Sequence, residues 1–330
     1  VAVNPPARFR LATLPTPLVR AERLERALAT PPLYVKRDDL TGFALAGNKA
    51  RQLELLVGDA LGRGCDALVT GGGPGSNFCQ AAAVAARVAG LGCVLVMYGE
   101  EPASPHPNLA LARASGAEVR FTGRPERDSV DPALDEAAAE LEARGRRPYR
   151  MPRGGATALG AAGYALAAAE LAVQLAAERV EPELVLVATG SGGTHAGVVA
   201  GAVAEARPWR VVGASVSRPV AECAGQVLRL ACAAAALLGQ PEAEAGHVEV
   251  WDARGPGYGI PSRDGDRAAR LAAETEGFLL DPVFTAKALA LLPRLVEDGV
   301  RGPVVFWHTG GASGALAHLL GGGGARCGSG

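Results

Sequence analysis

The sequence predicts an α/β protein built on mainly parallel sheets. Short aliphatic and β-branched runs alternate with Ala-rich stretches of helical length, and glycine-rich loops join several runs to the stretch that follows. The 330 residues suffice for two domains and are 48% hydrophobic, while 33 basic against 34 acidic residues leave a formal charge of −1. That balance supplies no global field for nucleic acid or an anionic membrane, so the expected partner is a small molecule.

The first unit opens with a strand at 66–70, continues through the loop Gly71-Gly72-Gly73-Pro74-Gly75 and enters an Ala-rich helix at 77–89. A strand at 93–98, a loop and helix over 102–116, a strand at 118–121 and a helix at 132–144 complete a small domain. The arginine-rich passage 144–155 contains two prolines and three glycines and no aromatic platform, which predicts a solvated linker between domains rather than a nucleic-acid patch. A helix at 159–178 then leads to strands at 184–187, 211–215, 248–251 and 304–307. Residues 184–204 run 21 positions without a formal charge, long enough for a membrane span. The polar glycine loop inside that stretch would leave backbone groups unsatisfied in lipid, so it reads as strand, loop and helix. Gly321-Gly322-Gly323-Gly324 reads as a flexible tail. Six cysteines without a C-x-x-C pair, and no signal-like opening, point to a reducing cytoplasm.

Amine chemistry has three candidates, because only Lys36, Lys49 and Lys287 are lysines. Lys49 stands in Gly47-Asn48-Lys49 just before a helix-like run, where the helix dipole disfavours an ammonium and lowers the amine pKa toward that of a Schiff-base nucleophile. Lys36 has Asp38 and Asp39 nearby, which favour its charged form and make it the poorer nucleophile; those two carboxylates should point apart on a strand. Lys287 is not excluded by spacing. The loop Gly190-Ser191-Gly192-Gly193-Thr194 between strand and helix is a local anion site, or else a tight packing turn. Its glycine spacing fits neither the dinucleotide fingerprint nor a P-loop. Ser76-Asn77 opens a second helix, as a carboxylate site or an ordinary N-cap, and His308-Thr309-Gly310-Gly311 repeats the pattern. Pro74, Thr189 and Ala315 break every G-x-S-x-G frame, and the five histidines lack ligand spacing, so neither a serine hydrolase nor a metal site is expected.

Taken together, these motifs resemble the pyridoxal-phosphate family containing 1-aminocyclopropane-1-carboxylate deaminase and D-cysteine desulfhydrase, of the tryptophan-synthase-β-like, type II fold. The resemblance runs end to end. Its further marks are Leu14-Pro15-Thr16-Pro17-Leu18, Val35-Lys36-Arg37-Asp38-Asp39, Thr189 with the loop through Gly197, Gly257-Tyr258-Gly259-Ile260-Pro261 and Asp281-Pro282-Val283-Phe284-Thr285. It implies two three-layer α/β/α domains, a large cofactor-binding one of 1–54 with 157–330 and a small one of 55–156. Lys49 becomes the lysine that carries pyridoxal 5'-phosphate, and Thr189, Gly190, Ser191, Gly192, Gly193 and Thr194 cradle its phosphate. Asn77 would meet the ring hydroxyl and Thr309 the pyridine nitrogen. Ser76, Asn77, Phe78, Tyr258 and Phe284 would surround a small amino-acid substrate, with Lys49, Ser76 and Tyr258 catalytic. A homodimer is implied as well.

Phe284-Thr285 replaces the family deaminases' Tyr-Glu, which removes a phenol and the glutamate partner of the pyridine nitrogen. That departure favours β-elimination of the D-cysteine desulfhydrase type, giving a 2-oxo acid and ammonia, over cyclopropane opening. A 1-aminocyclopropane-1-carboxylate deaminase, a specialised β-replacement or biosynthetic enzyme using the same cofactor, and a catalytically inactive homologue that binds cofactor or amino acid are the alternatives. Phe78-Cys79-Gln80 predicts a more apolar wall beside the carboxylate.

Overall fold

The computed structural model describes residues 6–322. In chain order it runs β1 (Leu18–Arg20), α1 (Glu22–Leu28), β2 (Leu33–Arg37), α2 (Asn48–Gly62), β3 (Ala67–Gly72), α3 (Asn77–Val88), β4 (Gly92–Met97), α4 (Pro107–Ala114), β5 (Glu118–Phe121), α5 (Val130–Ala143) and β6 (Pro148–Arg150). It continues through α6 (Ala158–Glu178), β7 (Leu184–Thr189), α7 (Gly193–Ala204), β8 (Arg210–Ser215), α8 (Val220–Leu238), β9 (Glu249–Asp252), α9 (Arg263–Glu276), α10 (Thr285–Leu289), α11 (Leu292–Glu297), β10 (Val304–His308) and α12 (Ala312–Gly322).

Two sheets form. One has the order β1-β2-β10-β7-β8-β9, the other β5-β4-β3-β6. Every pair is parallel except β1 with β2. Parallel sheets bury both faces, which explains the nearly unbroken aliphatic runs. Along β7, Val185 and Val187 pack into one core with α6, α7 and α8, whereas Leu184 and Leu186 pack into another with α1, α9 and α10. In the smaller sheet Leu68 and Leu95 face α2 and α3, and Val69 and Val94 face α5. Each body therefore has the three layers expected.

The 144–155 linker needs correction. Pro148–Arg150 pairs parallel with β3 as an edge strand, a place that tolerates proline because one side of the ladder stays unpaired. The uncharged 184–204 stretch divides into β7, a glycine loop and α7. Gly321 and Gly322 end α12, while Gly323, Gly324 and Cys327 lie outside the described residues.

Asp38 and Asp39 do not lie on a strand. They occupy a tight helical turn after β2, where Asp38 turns inward and Asp39 pairs with Arg37 at 2.7 Å. Asp38 is fully buried and accepts from Arg51 (2.9 and 3.0 Å), Thr16 Oγ1 (2.7 Å), Tyr164 OH (2.5 Å) and Trp307 Nε1 (2.9 Å). Arg51 continues to Glu170 at 2.8 Å, and Glu170 pairs with Lys36 at 2.5 Å. Burial lowers the Lys36 pKa, with Glu170 opposing it more strongly than Asp38 does. The partner that keeps Lys36 charged is thus 134 residues away rather than next door.

Candidate active site

The loops after β3, β7 and β10 and the starts of α2, α3 and α7 surround one cavity of about 280 Å³ between the two sheets. Open sites at the carboxyl ends of parallel strands are the general rule for such sheets. Lys49, Ser76, Asn77, Phe78, Thr189, Gly190, Ser191, Gly192, Thr194, Tyr258, Phe284 and Thr309 all line it. Gly193 does not; it is the first residue of α7 and packs toward Gln52.

Lys49 reaches the cavity because α2 starts one residue earlier and Gly47 lets the chain enter sideways. Gly47 has φ +53°, and a Cβ there would stand 2.3 Å from the Thr309 carbonyl oxygen. The Asn48 amide donates to that oxygen at 2.9 Å, which fastens the start of α2 to the end of β10. Enclosure by protein lowers the Lys49 pKa to about 8. Its amine has no hydrogen-bond partner among the described residues, whereas Lys36 is paired and Lys287 donates to the carbonyls of Arg254 and Gly257 at 2.7 and 2.9 Å. Of the three lysines, Lys49 alone presents a free amine to the cavity.

The glycine loop is held from several sides. Gly192 has φ +95°, a left-handed conformation that turns β7 into α7. Arg218 Nη1 and Ser217 Oγ donate to the Gly190 carbonyl at 2.5 and 3.2 Å. Asn48 Nδ2 donates to Thr194 Oγ1 at 2.8 Å. The Gln52 side-chain amide is fully buried with neither atom hydrogen-bonded among the described residues, and its Nε2 lies 3.1 Å from where a Gly193 Cβ would be. A buried amide left without partners beside a run of main-chain N–H groups suits a bound phosphate. Together with the free amine of Lys49, this donor set fits pyridoxal phosphate.

Ser76 caps α3, accepting from the Cys79 amide at 3.2 Å, so the ordinary N-cap role is real and coexists with its place on the cavity wall. Asn108 Nδ2 donates to Asn77 Oδ1 at 2.8 Å, and Ser313 Oγ donates to Asn108 Oδ1 at 2.6 Å. This chain orients the Asn77 amide so that its NH2 remains available as a donor. Phe78 is 1% exposed and packs on Gly155, forming wall more than contact surface. Phe284 meets Tyr258 edge-on with centroids 6.2 Å apart and lies against Gly190. Thr285 does not reach the cavity. Its hydroxyl donates to Asp281 Oδ2 at 2.9 Å and its backbone joins the same carboxylate. Asp281 does line the cavity, with its pKa raised by burial.

Sequence reasoning overlooked Asn48, Gln52, Asn108, Arg127, Arg218 and Asp281. Asn48 and Gln52 had a usable signal, since a spacing of four puts them on the same helix face. His195, under the loop, and His308, at the end of β10, are buried with pKa values near 4, burial being the main cause in both. Between pH 6.5 and 4 the unfolded chain binds protons that the folded one refuses, so stability falls on acidification. The loss amounts to roughly 3 kcal/mol per histidine at the lower end. A urea midpoint that drops from pH 7 to pH 5 is the expected reading; one that stays flat contradicts it.

Residues 9–310 match the family described as pyridoxal-phosphate dependent enzyme. D-cysteine desulfhydrase of Klebsiella pneumoniae (strain 342) is 40% identical over 323 residues, covering 94% of this chain and 96% of that protein. The enzyme of the same name from Salmonella choleraesuis (strain SC-B67) is 40% identical over 322 residues, with the same coverage. A solved structure titled as an ACC deaminase homologue superposes with a TM-score of 0.89 at 34% identity, covering 96% of this chain and 95% of its own. The cavity, its free lysine amine and these similarities agree: the chain belongs to the pyridoxal-phosphate dependent enzyme family.

Proposed function

We propose that the chain is a β-eliminating lyase that converts a small amino acid, of the D-cysteine type, to a 2-oxo acid and ammonia. The observation that supports this most directly is the free amine of Lys49 lining one cavity together with Ser76 and Tyr258. Pyridoxal phosphate, when bound, supplies the electron sink that stabilises negative charge at the substrate α-carbon. Lys49, Thr189, Gly190, Ser191, Gly192, Thr194, Asn77 and Thr309, which all line the cavity, are the residues we assign to holding it. The substrate carboxylate is assigned to the start of α3 at Ser76 and Asn77, where amide donors and the helix dipole favour an anion. With a pKa near 8, Lys49 holds a proton loosely enough to take and return one at the α-carbon near neutral pH.

Phe284 offers no hydroxyl, which disfavours cyclopropane opening in this reading. We keep the division into a large domain of 1–54 with 157–330 and a small one of 55–156, supported by the two separate sheets: β3 to β6 all fall within 55–156, and β1, β2 and β7 to β10 fall outside it. Helix α2 lies between the two, with Leu53 and Leu56 in the core under the four-stranded sheet and Leu55 in that under the six-stranded one. A cytoplasmic homodimer completes the reading. Its support is the unpaired state of Cys65, Cys79, Cys93, Cys223 and Cys232, and the exposure of Leu166 and Val173 on the apolar helix α6.

The test is a panel of D- and L-cysteine, D- and L-serine and 1-aminocyclopropane-1-carboxylate given to reconstituted protein, with 2-oxo acid and ammonia measured. Turnover of D-cysteine with none of the cyclopropane substrate is expected. A protein that binds the cofactor and releases a 2-oxo acid from none of them overturns the proposal.

A further inference from the structure

The cavity contains one more positive charge than the proposed elimination uses. In that reading the cofactor phosphate and the substrate α-carboxylate each meet main-chain amides, at the starts of α7 and α3. Three arginines also line the space. Arg153 is neutralised by Asp131 at 3.0 and 2.7 Å, and Arg218 by Glu222 at 3.0 Å together with the Gly190 carbonyl. Arg127 forms no ion pair or side-chain hydrogen bond among the described residues. Its guanidinium carbon sits 4.0 Å from the centroid of the Tyr258 ring, and that ring in turn packs on Phe284. Contact with the ring face steadies the guanidinium, and its N–H groups, with no acceptor among the described residues, are free for bidentate binding of an oxyanion.

We propose that Arg127 recognises a second anionic group on the substrate, so that the chain acts on amino acids whose β-substituent is an oxyanion. The inference rests on the elimination reading and extends it to a substrate class. A thiol on the β-carbon offers Arg127, on the Tyr258 ring, no charge to pair with, whereas an oxyanion neutralises it. Such a group also departs with the bonding electron pair, and Arg127 faces the charge that develops there. For O-phosphoserine the α-proton goes to Lys49, the Cβ–O bond breaks and phosphate leaves with the pair. One water is consumed as the remainder becomes pyruvate and ammonium.

The experiment compares kcat/KM of the reconstituted enzyme for O-phosphoserine, in both enantiomers, with that for β-chloroalanine, whose α-carboxylate is the same and whose β-substituent is neutral. Arg127→Gln should lower the ratio of the two by roughly tenfold or more, the usual size of a lost charge-assisted hydrogen bond, and Arg127→Lys, which keeps the charge but not the planar fork, should restore only part of it. A ratio unchanged in Arg127→Gln overturns the inference, as does turnover of β-chloroalanine without turnover of either phosphoserine. If neither substrate reacts while the cofactor absorbance is intact, elimination itself is the reading that fails.

Discussion

Replacing Lys49 with alanine is expected to remove the protein-linked cofactor absorbance and to lower turnover by roughly 10³-fold or more, because one amine would serve both attachment and proton transfer. Neither of the other lysines can substitute. Lys36 is fully buried on the far side of the Asp38 network and bonded to Glu170, Gln174 and the Thr16 carbonyl, and Lys287 is bonded to two carbonyls. Lys36→Ala should therefore weaken the fold yet leave the absorbance in the protein that remains folded. Absorbance spectra and single-turnover assays of both variants decide the matter. A Lys49→Ala protein that retains the band would mean that the cofactor is held elsewhere.

Asp38→Ala is expected to cost the fold about 3–5 kcal/mol, the usual penalty for leaving buried charge uncompensated. The aspartate accepts from four side chains, and without it Arg51 retains Glu170 and the Thr16 hydroxyl while Tyr164 and Trp307 lose their acceptor in the core. Nearby charge holds the Asp38 carboxyl below its ordinary value of 3.8 despite burial, which works the other way; Arg51 is the chief source. Its contribution is complete above the unfolded pKa and is lost as the pH falls through the folded one. Arg51 lies two residues beyond Lys49 on α2, so this variant should also release cofactor more readily. Urea denaturation measured with and without added pyridoxal phosphate separates the two effects. A midpoint equal to that of the parent protein would show that the network adds nothing to stability.

The parts legible in the sequence were those whose cause is local. Aliphatic runs in β3, β4, β7, β8 and β10 and the glycine turns after β3 and β7 announce themselves because both faces of a parallel strand are buried. Strand β6 was hidden by its arginine and proline, which an edge position permits. In β2 the charge of Lys36 obscured an interior strand, since its neutralising partner comes from α6 and no short-range pattern reveals it. The site divides in the same way. Lys49 and the 190–194 loop stand in recognisable local settings, whereas Asn108 and Arg127 matter only because folding sets them beside Asn77 and Tyr258.

Strand β10, near the carboxyl end, inserts between β2 and β7 rather than adding to an edge, and the carbonyl of Thr309 just beyond it ties down the helix that bears Lys49. During synthesis the four-stranded sheet can assemble as soon as residue 150 has left the ribosome, but β2 and β7 must wait with a gap between them until the last strand arrives. Nascent chains halted before residue 304 should therefore contain a folded small body and no competence to retain the vitamin.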